Sequence, residues 1–318
     1  MAGGRSVVTG GLGYIGQAIA AELQRRGEDP IIVDRRPIPP QLEDVRVIHG
    51  DIRDAHVWDQ VDTPRAIFHC AGLIQVGESV EKPARYFDDN VSAGLSMLSH
   101  VLERFGPIPV IFSSSAAVYG VPEQTPIDEG AALRPLSPYG VTKRQFEEIL
   151  AAFEGAYGIP SVALRYFNAA GTDGRIRENH DPETHLLPRV ARALVAGEAP
   201  VIYGSDYPTP DGTAIRDYIH IQDLVEAHVA ARQYLEDGGE STALNLGSGR
   251  GMSVLEMVEA FRAWLPDMPA PRKVARRPGD PPVLVAAIDR AKNVLHWSPT
   301  RSDPGRLVGE AFRLAVSQ

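Results

Sequence analysis

The chain of 318 residues contains a single cysteine, Cys70, so no disulfide can form within it. It has no uninterrupted apolar run approaching the roughly 18 residues that span a bilayer, which excludes a simple transmembrane helix and gives no reason to expect a membrane partner. Cations are in deficit: 32 Lys and Arg against 41 Asp and Glu leave a net charge of −9. Such a balance argues against nucleic-acid binding, because polyanion binders carry a basic surface. An anionic small ligand would have to be met by a few well-placed guanidiniums. The opening Met-Ala-Gly-Gly-Arg-Ser leads directly into an apolar strand and leaves no room for a secretory leader, so a reducing, cytoplasmic setting is expected. No metal is called for.

The most informative segment present is Thr9-Gly10-Gly11-Leu12-Gly13-Tyr14-Ile15-Gly16. It follows the apolar Arg5–Val8 and opens an amphipathic pattern from Ile15 to Arg26, the context in which a glycine turn lets backbone approach a pyrophosphate. Further strands are expected at 30–33, 46–49, 66–71, 110–113, 161–166 and 242–246, with helical periods between several of them, including 187–196 and 221–235. That alternation implies an α/β fold with a doubly wound, Rossmann-like parallel sheet. Beyond residue 167 loops rich in Gly, Pro and Asp suggest a smaller, interleaved C-terminal lobe. The expected division is 1–166 plus about 217–248 for a dinucleotide, and about 167–216 plus 249–318 for a substrate.

Asp34, 18 residues after Gly16, closes the second strand and is placed to accept hydrogen bonds from an adenosine ribose. Its charge favours NAD over NADP, although Arg35 and Arg36 are the kind of residues that hold a 2′-phosphate. Asp51 and Ile52, after the third strand, could bracket the adenine or form a plain surface turn. Tyr139 and Lys143 stand i, i+4 and share a helix face, with Ser137-Pro138 as the helix start. A phenol near pKa 10 needs a nearby positive charge to act as a base at neutral pH, so Tyr139 is the candidate base and Lys143 its tuner. Ser113, Ser114 and Ser115 end a strand where ligands bind in open α/β sheets; one should face the substrate, or else cap the next turn. Ala116 and Ala117 follow with no carboxylate, which favours oxidation and re-reduction over elimination or decarboxylation.

With these residues assembled, the sequence resembles the extended short-chain dehydrogenase/reductase family and, within it, the UDP-galactose (UDP-glucose) 4-epimerases. The likeness runs over nearly the whole chain and is carried by Thr-Gly-Gly-Leu-Gly-Tyr-Ile-Gly from Thr9, Val-Gly-Glu-Ser-Val from Val76, Ser-Pro-Tyr-Gly from Ser137, Leu-Arg-Tyr-Phe-Asn-Ala-Ala-Gly from Leu164 and Ile-Arg-Asp-Tyr-Ile-His from Ile215. It implies NAD as cofactor, a UDP-sugar as substrate, C4 epimerisation and a homodimer pairing helices near 88–104 and 138–153. It further implies Ser115 as the substrate-facing hydroxyl, and Cys70, Ala71, Gly72, Asn90, Ser113 and Tyr166 with the glycine turn, Asp34, Asp51, Ile52 and Lys143 around the cofactor. Asn168, His185, Leu186, Tyr203, Arg216, Arg277, Asp280 and Leu284 are the implied substrate contacts. Four positions depart from familiar members: Ile74 stands where a lysine is common, Cys70 where an aromatic often precedes Ala-Gly, His185 where an asparagine is expected, and Leu284 where a tyrosine in some members narrows the sugar pocket. The smaller Leu284 makes N-acetylated sugars plausible substrates.

Overall fold

A computed structural model describes residues 4–38, 45–174, 176, 183–277 and 280–317. The first half alternates strand and helix: β1 (Ser6–Thr9), α1 (Tyr14–Arg25), β2 (Ile31–Asp34), β3 (Arg46–His49), α2 (Ala55–Asp59) and β4 (Ala66–His69). Two short helices, α3 (Val76–Glu81) and α4 (Pro83–Phe87), precede one π-helical turn at Asp88–Ser92, which runs on into α5 (Ala93–Phe105). Next come β5 (Val110–Ser115), α6 (Pro138–Tyr157), β6 (Ser161–Tyr166) and β7 (Asn168–Ala170). The second half holds α7 (Leu186–Val195), β8 (Val201–Tyr203), β9 (Ile215–His220), α8 (Ile221–Glu236), β10 (Thr242–Leu246) and β11 (Gly251–Ser253). It closes with α9 (Val254–Glu259), β12 (Arg272–Val274), β13 (Val283–Leu284), α10 (Asp289–Leu295) and α11 (Pro304–Val316).

Seven strands form one parallel sheet in the order β10-β6-β5-β4-β1-β2-β3. Its central strands are buried end to end, as a sheet covered on both faces requires. Successive side chains serve opposite layers: Val8 packs with Ile19, Leu23 and Leu224 from α1 and α8, whereas Val7 packs with Met97, Leu98 and Phe146 from α5 and α6. The chain order reverses between β1 and β4, so their carboxyl ends leave the crevice in which open α/β sheets bind ligands. A second core, built from Leu187, Val190, Leu194, Met257, Phe261, Leu307 and Val308, unites α7, α9 and α11 in the smaller lobe. Among the described residues no helix is long and apolar enough to cross a membrane.

Two strand ends depart from the sequence reading, and both shape the crevice. β5 runs on to Ser115, because Ser113, Ser114 and Ser115 stay in register with Leu164, Arg165 and Tyr166 of β6. β4 stops at His69 rather than Ala71: the Cys70 amide still donates to the Thr9 carbonyl (3.0 Å), after which the chain turns across the cleft at Gly72. β9 straddles the expected boundary near residue 216 and pairs with β7, β11 and β13 in the small sheet.

Candidate active site

The dinucleotide end is a matter of close backbone approach. Gly10 has φ +66°, and a Cβ there would lie 2.6 Å from Ala71 Cα; a Cβ on Gly16 would strike the Gly10 carbonyl oxygen. Gly13 is the N-cap of α1, with no side-chain cap, and it turns the helix N-terminus, the end that attracts an anion, toward the cleft. Gly10, Gly13, Tyr14, Ile15 and Gly16 all line the cleft, with Asp34, Asp51, Ile52, Cys70, Ala71, Gly72 and Tyr166. The cleft encloses about 2060 Å³, well beyond the 300–1,000 Å³ of a single small-ligand site, so it has room for two nucleotides end to end. The Tyr14 hydroxyl reaches across it to donate to the Gly171 carbonyl (2.6 Å).

Asp34 is 7% exposed. Burial alone would raise its carboxyl, but hydrogen bonds from Arg36 and the Leu12 amide outweigh burial and hold it below the usual carboxylate range. Asp51 is engaged by Arg35 (3.2 Å) and by Arg53 through backbone and side chain. Ile74 stands 40% exposed at the mouth, an apolar side chain in place of the common lysine.

Three expected cofactor residues, Asn90, Ser113 and Lys143, serve the cleft from behind. Asn90, on the π-helical turn, accepts from the Leu73 amide (2.7 Å) and donates to the Leu73 carbonyl and Thr142 Oγ1 (3.0 and 3.1 Å). It thereby holds the 70–73 turn against α6. Ser113 Oγ lies between Cys70 Sγ (3.2 Å) and His228 Nε2 (3.3 Å), while its carbonyl accepts from Lys143 Nζ (2.8 Å). None of the three side chains lines the cleft.

The reacting groups converge at the carboxyl end of β5. Ser137 caps α6 by accepting from the Gly140 amide, and Pro138 at the first helical position suits a helix start. The next residue, Tyr139, is 7% exposed and has its phenol beside Ser115. Ser115 Oγ also accepts from the Ala117 amide (3.2 Å), so it both caps the following turn and faces the phenol. Lys143 sits 4.9 Å above the Phe112 ring and 5.9 Å from that of Tyr139. Burial brings its ammonium down to about 8, opposed by the charges of Cys70 and Glu147. The spacing argument expected a lowered phenol. Here burial raises Tyr139, with the neighbouring Ser115 pulling the other way, because the Lys143 ammonium points at the Ser113 carbonyl rather than at the phenolic oxygen. Tyr166 is pushed well above the ordinary value by burial and the nearby Tyr139, so Tyr139 is the phenol of the two that gives up its proton more readily.

The substrate end gathers Asn168, His185, Leu186, Tyr203, Arg216, Arg277, Asp280 and Leu284 on one wall of the same cleft. Arg216 is 8% exposed and donates to Asp280 (2.5 Å) and the Pro281 carbonyl (2.7 Å); Leu284 is its register partner on β13. Arg277 lies 4.4 Å from the Tyr203 ring centroid. Arg189, which the motifs did not single out, lies 5.2 Å from that ring and donates to its hydroxyl (3.2 Å). The Arg189 hydrogen bond, countered by burial and reinforced by both guanidinium charges, holds the Tyr203 phenol below its ordinary value. Two arginines around one tyrosine, with Arg216 on the same wall in a chain of net charge −9, mark this wall as an anion site. His185 is paired with Glu183 (3.2 Å).

Residues 6–247 match the model of the NAD dependent epimerase/dehydratase family. The chain belongs to that family. The UDP-glucose 4-epimerase of Streptococcus mutans is 41% identical, over 96% of this chain and 95% of its own. The solved structure of UDP-glucose 4-epimerase from Brucella ovis in complex with NAD superposes with a TM-score of 0.92 at 40% identity, covering 98% of each chain. The UDP-Glc/GlcNAc 4-epimerase of Campylobacter jejuni superposes at 0.84 with 30% identity, covering 99% of this chain and 100% of that one. Like other members of this epimerase family, the chain is an enzyme with a nicotinamide cofactor, and its glycine cradle, glycine-capped α1 N-terminus and Asp34 fit that group.

Proposed function

We propose that the chain is an NAD-dependent UDP-hexose 4-epimerase acting on the UDP-glucose/UDP-galactose pair. The observation that carries this reading is the meeting of Ser115 and Tyr139 in one cleft, between the glycine turn and the arginine-rich wall. Residues 1–166 with about 217–248 would hold the dinucleotide, and the remainder the sugar nucleotide.

Tyr139 takes the 4-hydroxyl proton of the sugar, and Ser115, beside that phenol, holds the sugar oxygen in line. Bound NAD supplies a hydride acceptor for C4 and then returns the hydride. Lys143 keeps positive charge behind the phenol and ties α6 to the end of β5 through the Ser113 carbonyl. Arg216 and Arg277 hold the diphosphate while Tyr203 offers a face to the base. Fixed mainly by its UDP end, the 4-keto sugar turns its other face, and Tyr139 gives the proton back to the inverted alkoxide. Ala116 and Ala117 line the cleft beside Ser115 and offer no acid or base, which supports re-reduction over elimination.

Leu284 favours acceptance of the N-acetylated pair as well, since a half-buried leucine beside Arg216 leaves space that a tyrosine would fill. The exposed Leu95 on α5 (41%) supports a homodimer through α5 and α6, and sedimentation of wild type against Leu95→Lys checks it. The lone Cys70 suits a reducing, cytoplasmic setting. Proton NMR of the anomeric signals, with UDP-galactose, UDP-glucose and UDP-N-acetylglucosamine supplied separately with NAD, tests the activity. Appearance of the C4 epimer is the expected result, and no conversion of any sugar overturns the reading.

A further inference from the structure

The carboxylate of Asp34 is fully occupied. Its two oxygens offer about four acceptor positions, and four donors fill them. Oδ2 accepts from the Leu12 amide (2.9 Å) and Arg36 Nη2 (2.8 Å); Oδ1 accepts from the Arg36 amide (2.9 Å) and Arg36 Nε (3.1 Å). The guanidinium also overhangs the glycine turn, since a Cβ on Gly13 would lie 3.1 Å from Arg36 Nη2. Its neighbour Arg35 is turned away to Asp51 and Asp89, and Arg53 is bound to Asp51, Asp88 and Asp89. Arg36, with its side chain 53% exposed, is the cation that stands where Asp34 would meet the adenosine ribose.

Two consequences follow from this arrangement. A lone carboxylate repels a 2′-phosphate, but one paired with a guanidinium presents little net charge. A ribose diol, in turn, can reach Asp34 only by displacing the Arg36 side chain, leaving the Leu12 and Arg36 amides in place. The displaced guanidinium keeps its planar fork, the geometry that suits a phosphate, within reach of the ribose 2′ position.

We propose that the ribose end of this site is also a 2′-phosphate site, so that the chain binds NADP alongside NAD and Arg36 sets the ratio between them. The inference rests on the cofactor reading given above. Its test is equilibrium competition on the full-length protein. Wild type and Arg36→Ala are incubated with equal concentrations of NADP and isotope-labelled NAD until exchange is complete, and the dinucleotides retained after gel filtration are quantified by chromatography. Wild type is expected to retain NADP at no less than about one tenth of its NAD. Arg36→Ala should lower the NADP-to-NAD ratio at least tenfold, the scale of a lost charge-assisted hydrogen bond, while retaining NAD as well as wild type or better because Asp34 is released. A wild-type ratio below one tenth, or a smaller change in the variant, overturns the proposal. Retention of neither dinucleotide by wild type would instead overturn the cofactor reading itself.

Discussion

Behind the serines of β5 lies a buried ion pair whose removal should be felt in both stability and turnover. Glu147, two turns along α6 from Tyr139, accepts from Arg165 Nη2 at 2.6 Å and from its Nε at 3.1 Å, and from Ser114 Oγ at 2.5 Å. The two side chains are only 10% and 7% exposed. Arg165 also donates to the Tyr119 hydroxyl (3.0 Å), which itself donates to Asn245 (2.7 Å), so the pair ties α6 to β5, β6 and β10. Glu147→Ala leaves a guanidinium uncompensated in the interior, a change that costs about 3–5 kcal/mol. With unfolding entropy near 2.1 cal/mol/K per residue over 318 residues, each kcal/mol moves the midpoint by about 1.5 °C, so a drop of about 5–7 °C is expected by calorimetry. Turnover should fall with KM little changed, because α6 carries Tyr139 while the UDP wall is left intact. Replacing both members by apolar residues, Glu147→Leu with Arg165→Met, should recover most of the stability. A loss below about 1 kcal/mol for Glu147→Ala, or a double variant no better than the single, would refute the reasoning.

Other expectations follow from the same geometry. Tyr139→Phe should lower kcat by about 10²- to 10⁴-fold, the usual worth of a positioned acid-base group, with dinucleotide retention unchanged in the competition assay. Leu284→Tyr should suppress conversion of UDP-N-acetylglucosamine at least tenfold relative to UDP-glucose, the scale of steric discrimination in a pocket, in the anomeric NMR assay. His69 and His228 are fully buried and held neutral, with burial, helped at His69 by the Lys143 charge, bringing them down to about 3 and about 4. The unfolded chain binds a proton at each near 6.5 and the folded chain does not, so stability falls with pH below about 6.5 at up to about 1.4 kcal/mol per pH unit per histidine. Denaturant titrations at pH 7 and pH 5 should therefore differ by about 3–4 kcal/mol, and His228→Gln should remove about half of that difference.

Local signals made much of this protein legible. The glycine turn, the acidic end of β2 and the i, i+4 pair of Tyr139 and Lys143 each depend on a few neighbouring residues, and strands such as 46–49, 161–166 and 242–246 needed no more than an apolar run and a turn. What escaped the sequence depends on partners far along the chain. Nothing near Glu147 signals Arg165, 18 residues on, and Arg189 reads as one polar position on an amphipathic helix until Tyr203 folds beneath it. The direction of the Tyr139 shift also escaped. Spacing places the ammonium of Lys143 on the same helix face, but only the folded chain shows it turned to the Ser113 carbonyl and the phenol out of water. Ser113 and Asn90 sit on motif positions and yet hold other groups in place, a distinction that chain order alone does not carry.

The central claim is that the hydride removed from C4 is the one returned to it while Tyr139 moves the hydroxyl proton. The direct measurement is conversion of UDP-galactose in deuterium oxide, followed by proton NMR of the sugar. UDP-glucose should accumulate with its C4 hydrogen fully retained as protium. Deuterium at C4, or at C3 or C5 through enolisation, would contradict it.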